Sequence, residues 1–357
     1  MINQLTGIRA ILAWWVVGLH ILCNPQMVKY FWFAPLFSRG NLAVDGFFVL
    51  SGFILCHVYA AGLSDFSLHR YRSFLVARIA RIYPVHLIVL MVFLPALVAN
   101  RMFHLPNAVT SFSALDLGLS LLMVQAWGFI DHQVWNSVAW SISAEWFAYL
   151  LFPVFLIVVV KGNSIARVVI VSAASMIALH WVSAAQSEAN GPAGLYRSAL
   201  VMVCANFALG CAAYVVMKAG IGMKAWVGTA AAGASILCAH CRWLPLFSLS
   251  FAVLVLALAS NADWLSRPLS GRVMVYLGEI SYSVYMIHIL VWEAIAALAG
   301  RAGLLNASGA PYVVAAAMLA IAATSSLLYH SIEVPARRYI RGLGRERAGL
   351  HAVRAAR

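Results

Sequence analysis

Apolar residues run along this chain in long unbroken blocks, not in the narrow stripe of a helix lying on a water-soluble core. A helix needs about 20 such residues to cross the ~30 Å hydrocarbon layer of a bilayer. Blocks of that kind fall at roughly 8–23, 42–61, 83–103, 140–160, 165–185, 196–217, 225–241, 243–260, 273–298 and 312–332. One further apolar piece, 115–130, is interrupted by Gly118, Gln125 and Gly128. The distribution of Lys and Arg decides its placement. If it does not cross, the basic segments 64–81, 161–167, 218–224, 267–272 and the tail from Arg337 all lie on one side. The expectation is therefore an all-α polytopic membrane protein with ten transmembrane helices and 115–130 as a re-entrant or interfacial helix. Residues 1–336 form one membrane-embedded domain, 337–357 a basic tail, and both termini are cytoplasmic. Pro84 is expected to break the chain direction, and Pro335 to end the last helix.

Composition agrees with this reading. Of 357 residues, 64% are hydrophobic and 10% charged, whereas a soluble domain carries about a quarter charged residues. A net charge of +13 would point to nucleic acid in a soluble protein. Here cytoplasmic connections and anionic lipid head groups account for it, and no nucleic-acid partner is expected. The six cysteines fall within or beside apolar segments and read as small packing residues. No metal site and no bound cofactor are expected. The first apolar block has no small-residue cleavage site after it, so it is not a removable signal. No internal repeat is evident, which counts against inverted-repeat transporters.

Polar groups inside apolar spans are costly, so each is a functional candidate. Arg9 and His20 stand eleven positions apart on the first span. They share a face and are separated by about 16 Å of rise. The pair suits a groove with an anionic donor at one end and an acceptor at the other; a snorkelling anchor and a packing hydrogen-bonder are the alternative. Arg78 and Arg81, one turn apart, are made for phosphate or for anchoring at the inner surface. Asp45 opens the second span, where Ser51 and Gly52 permit close helix approach. Ser141 and Glu145 share a face, and the carboxylate there orients an imidazole, binds sugar hydroxyls or satisfies a helix N-terminus. Ser281, Tyr285, His288 and Trp292 fall on one face, either as a carbohydrate-binding wall or as an interhelical hydrogen-bonded seam. Glu333, Pro335 and Arg337 read as a structural clamp.

In order along the chain, these pieces are Arg9-x10-His20, Val44-Asp45-x-Phe47-Phe48-x-Leu50-Ser51-Gly52-Phe53, Arg78-x-x-Arg81-Ile82-x-Pro84, Trp140-Ser141-x-Ser143-x-Glu145, Leu277-Gly278-x-Ile280-Ser281-Tyr282-Ser283-x-Tyr285-x-x-His288 and Glu333-x-Pro335-Ala336-Arg337. Their succession resembles the acyltransferase-3 family of bacterial integral membrane acyltransferases over nearly the full length. The resemblance implies transfer of an acyl group, usually acetyl, from cytoplasmic acyl-CoA to a hydroxyl of an extracytoplasmic polysaccharide or lipid-linked glycan. It implies location in the bacterial cytoplasmic membrane. It makes His20 the essential histidine and Arg9, Arg78 and Arg81 the donor site. Asp45 and Glu145 are candidates to support His20 in catalysis, and Ser281, Tyr285 and His288 candidates to bind the acceptor. Ala77 stands where many relatives carry another Arg. A transporter or flippase of an anionic lipid-linked glycan is the rival reading.

Overall fold

A computed structural model describes residues 2–63, 66–103, 113–132, 134, 136–188, 192–221, 223–260, 264–340 and 342, without the side chains of 96–103, 188 and 192. Helices and turns account for the described residues, and no strand occurs among them. The helices are α1 (Asn3–Leu22), α2 (Leu42–Leu63), α3 (Leu68–Phe103), α4 (Ala114–Leu121), α5 (Trp140–Leu150), α6 (Phe152–Phe155), α7 (Ile165–Glu188) and α8 (Pro192–Lys218). There follow α9 (Val227–His240), α10 (Leu244–Ala259), α11 (Ser266–Leu269), α12 (Arg272–Glu279), α13 (Ser281–Arg301) and α14 (Ala310–Leu328). Wide-pitch π turns continue α6 over Leu156–Val160 and α14 over Tyr329–Glu333. Helices close every backbone hydrogen bond within one segment, which hydrocarbon surroundings demand.

Among the described residues, seven helices are long and apolar enough to cross a membrane. The pair Ser137–Leu150 and Phe152–Val160, bent by 59°, makes an eighth if it counts as one span. The expected ten is reached only by adding α9 and α10, whose 14 and 16 residues rise about 21 and 24 Å, short of the ~30 Å core. Large apolar side chains such as Ile170, Ile177 and Leu319 stand exposed on the outside of the bundle, as lipid-facing positions do. The chain is a multi-pass helical membrane protein.

Several local expectations change. Most of the segment 64–81 is not a connection: α3 begins at Leu68 and carries Arg70, Arg72, Arg78 and Arg81 along its first four turns. Pro84 lies inside that helix and does not turn the chain. The block 273–298 is two helices, α12 and α13, meeting at Ile280. Helix continues past Pro335 to Ile340, so the expected tail boundary at 337 falls within a helix; 341 and 343–357 lie outside the described residues. Within 115–130 only the eight-residue α4 is helical, closed by a capping box between Ser113 and Asp116. The rest folds back on α5: the Ala126 amide and Trp127 indole donate to the hydroxyl and carbonyl of Ser143. Eight helical residues are too short to cross a membrane.

One of the close approaches is between α2 and α8. A Cβ on Gly52 would sit 2.1 Å from the Phe207 carbonyl oxygen, and one on Gly210 2.0 Å from that of Val49. Small residues here let two backbones touch, as expected for Gly52. This contact holds α2, and with it Asp45 and Ser51, against the centre of the bundle.

Candidate functional site

Two cavities open at different levels along α1, one beside Arg9 and one beside His20. The first, about 380 Å³, is lined by Arg9, Arg78, Arg81 and Arg337, together with Ser51 and Glu145. Arg78 and Arg81 enter it from α3, one turn apart. The Arg78 guanidinium donates to the Tyr59 hydroxyl at 2.9 Å and lies 5.2 Å from that ring's centroid. Its Nε is buried without a partner among the described residues. Glu333, on the π turn and not in the cavity lining, is fully buried. It accepts from Arg337 and, at 3.0 Å, from the Ser283 hydroxyl, with Arg81 3.9 Å away. That is the clamp expected at Glu333. Glu145 accepts from the Ser51 hydroxyl. Four guanidiniums therefore face two carboxylates, and the excess positive charge suits a phosphate-rich ligand.

The second cavity, about 490 Å³, is lined by His20, Asp45, Arg39, Arg242, Trp140 and Gln186 among others. Asp45 is buried and accepts from Asn206 at 2.7 Å; the same Asn206 amide donates to the Met202 carbonyl at 3.1 Å. Val44 and Tyr285 line both cavities and form the wall between them. Tyr285 is fixed there. Its hydroxyl donates to the Val138 carbonyl at 3.0 Å and accepts from Ser141 at 2.8 Å.

His20 does not stand alone. His288 Nε2 lies 3.1 Å from His20 Nδ1. On its other side His288 Nδ1 lies 2.7 and 3.2 Å from the carbonyls of Tyr285 and Val284. Carbonyls only accept, so His288 Nδ1 carries the hydrogen, and in the neutral ring Nε2 presents a lone pair. His20 Nδ1 also faces the Val16 carbonyl, at 3.0 Å. It must then be the hydrogen-bearing nitrogen, shared between Val16 and His288. The remaining nitrogen, His20 Nε2, is left with its lone pair free. The ring is thus held in one tautomer, the state a general base or nucleophile requires.

The structure brings Arg9, Arg78 and Arg81 to one cavity and His20 and Asp45 to the other. Among the described residues neither candidate carboxylate is hydrogen-bonded to His20: Glu145 is in the arginine cavity, and Asp45, in the His20 cavity, accepts from Asn206. His288 takes that place, packed behind His20 and lining neither cavity. Ser281 is also displaced from the expected acceptor wall. It lines the arginine cavity and donates to the Gly278 carbonyl at 2.8 Å. Of the expected wall only Tyr285 touches the His20 cavity, since Trp292 is buried elsewhere in the core. Arg39 and Arg242 also line the His20 cavity, and Asn206 holds Asp45 there; Asn206, a buried amide within a long span, is a candidate on the same grounds as His20.

A family model described as an acyltransferase domain matches residues 2–330. A protein of Streptomyces mycarofaciens called acyltransferase MdmB is 29% identical over an alignment of 389 positions, covering 96% of this chain and 93% of that one. No solved structure matches.

Proposed function

Because the chain belongs to the acyltransferase-3 family, we propose that it moves an acyl group, acetyl foremost, from cytoplasmic acyl-CoA to a hydroxyl of an extracytoplasmic polysaccharide or lipid-linked glycan. The observation that carries this reading is the pair of cavities meeting at Tyr285, one rich in arginine and the other holding a histidine of fixed tautomer. In this scheme the protein crosses the cytoplasmic membrane ten times, with α9 and α10 as short spans and both termini inside. The arginine cavity then faces the cytoplasm and the His20 cavity the exterior.

Arg9, Arg78 and Arg81 hold the CoA phosphates and direct the thioester toward the shared wall. His20 Nε2 takes the proton of the acceptor hydroxyl, and that oxygen attacks the thioester carbonyl. The C–S bond breaks, CoA leaves as thiolate, and the proton held by His20 ends on the thiol. His288 accepts from His20 Nδ1–H throughout and stabilises the imidazolium formed in between. Asp45, Tyr285 and Trp140 face the acceptor. Positioning the two reactants on either side of one shared wall and removing a proton at the moment of attack are each large contributors to rate.

The test is release of free CoA thiol by purified protein given acetyl-CoA and membrane glycan extract, with mass spectrometry of the glycan. Expected is acceptor-dependent thiol release and a matching mass increase. Glycan translocation without thiol release would favour the transporter instead.

A further inference from the structure

The His20 cavity holds two cations that acyl transfer does not use. Arg39, in the turn before α2, and Arg242, between α9 and α10, both line it. They come from distant parts of the chain yet line one cavity, Arg39 half-buried and Arg242 exposed. No ion pair among the described residues includes either one. Asp45, the acid that lines the same cavity, is turned toward Asn206. Like charges gathered in a cavity without a counterion are unfavourable alone and favourable around an anion. The rest of the wall includes the Trp140 ring, Asn41, Ser183 and Gln186. An aromatic face beside amide and hydroxyl groups fits a hydroxylated ring.

We infer that the acceptor is an anionic sugar, whose carboxylate or phosphate is bridged by Arg39 and Arg242 while a ring hydroxyl faces His20. This inference rests on the acyl-transfer reading and narrows its substrate class. A lipid head-group phosphate is a second source of the same chemistry, so the experiment separates the two.

Full-length protein is placed in nanodiscs of phosphatidylcholine alone. Binding of methyl β-glucuronoside, glucose 1-phosphate and methyl β-glucoside is measured by calorimetry, and CoA thiol release is followed in parallel. The anionic probes are expected to bind about tenfold or more tightly than the neutral glycoside, a difference of the size of charge-assisted hydrogen bonds, and to weaken as salt rises. Arg39→Gln with Arg242→Gln should erase the preference while leaving acyl-CoA affinity unchanged. If that variant does not fold, the salt dependence of the wild type decides. Equal affinity for charged and neutral probes, or no binding of the charged ones, overturns the inference. So does loss of retained phosphatidylglycerol from the variants, in protein extracted from anionic membranes, without any change in probe selectivity: that marks a lipid site. Charge-selective binding with no thiol release from any acceptor leaves the anion site standing and removes the acyl-transfer reading. Thiol release at equal efficiency for charged and neutral acceptors removes only this inference.

Discussion

At the scale of single residues the arrangement turns on one nitrogen. His20 Nδ1–H is committed to Val16 and His288, so reactivity falls on Nε2. His20→Ala should abolish acyl transfer while leaving acyl-CoA binding intact. His20→Gln should be nearly as inactive, since an amide keeps hydrogen-bonding reach but cannot take a proton near neutrality. Activity should fall in acid as the imidazole becomes protonated and loses its lone pair. Substantial turnover by the Gln variant, at equal amounts of folded protein, would sink the assignment. In the proposed scheme His288 is a positioning residue for His20. His288→Leu should lower kcat by about 10²-fold or more, within the range of acid–base contributions, with the KM for acyl-CoA unchanged. His288→Gln should recover much of this, because its amide oxygen can accept from His20 and its NH2 can donate to the Tyr285 carbonyl. Equal damage from both substitutions would mean packing alone. His20 was readable as a candidate because an imidazole in an apolar span needs a reason to be there. Its partner was not, because a contact between residues 268 positions apart depends on how α1 and α13 cross.

Among the elements, α3 brings Arg78 and Arg81 to the first cavity. Arg78→Ala with Arg81→Ala should weaken acyl-CoA binding by about 1.5–3 kcal/mol for each charge-assisted hydrogen bond removed, measured by titration in detergent with protein level as control. Unchanged affinity with scrambled insertion would return both residues to the role of membrane anchors. Hydropathy placed α3's apolar half correctly and missed that its basic half is helical too, since clustered arginines look like a connection whichever structure they adopt. Pro84 misled for a similar reason. In hydrocarbon, interrupting a helix strands several carbonyls, whereas an internal Pro costs about 3 kcal/mol, and the helix runs on. The small residues of α2 were read soundly. Gly210→Val should lower the yield and melting temperature of folded protein, since its Cβ would meet the Val49 carbonyl at 2.0 Å and backbone cannot swing aside as a side chain can. A melting temperature equal to the wild type's would show that α2 and α8 stand further apart.

Across the whole molecule the question is sidedness. Reporter fusions should place the connection before α3 and the C-terminal tail on the same, cytoplasmic face. Opposite faces would mean that the span count implied by the Lys and Arg distribution is wrong. The expected topology rests on that distribution, which does not say where helices stop: α9 and α10 are shorter than a bilayer is thick, and the bend after Leu150 leaves no break in hydropathy. The wall of Val44 and Tyr285 between the two cavities has an electrical consequence. In charge terms, an acyl group carried from thiolate to alkoxide across that wall is a cation moved outward. The acceptor's proton, travelling the other way to the thiolate, cancels it. Voltage acts on uncompensated charge with about 2.3 kcal/mol per 100 mV. If the wall passes acyl group and proton together, turnover in proteoliposomes should be flat as a valinomycin-imposed, interior-negative potential is raised. If the proton escapes to the outer face, each cycle exports one positive charge, and the rate should drop as the interior becomes more negative.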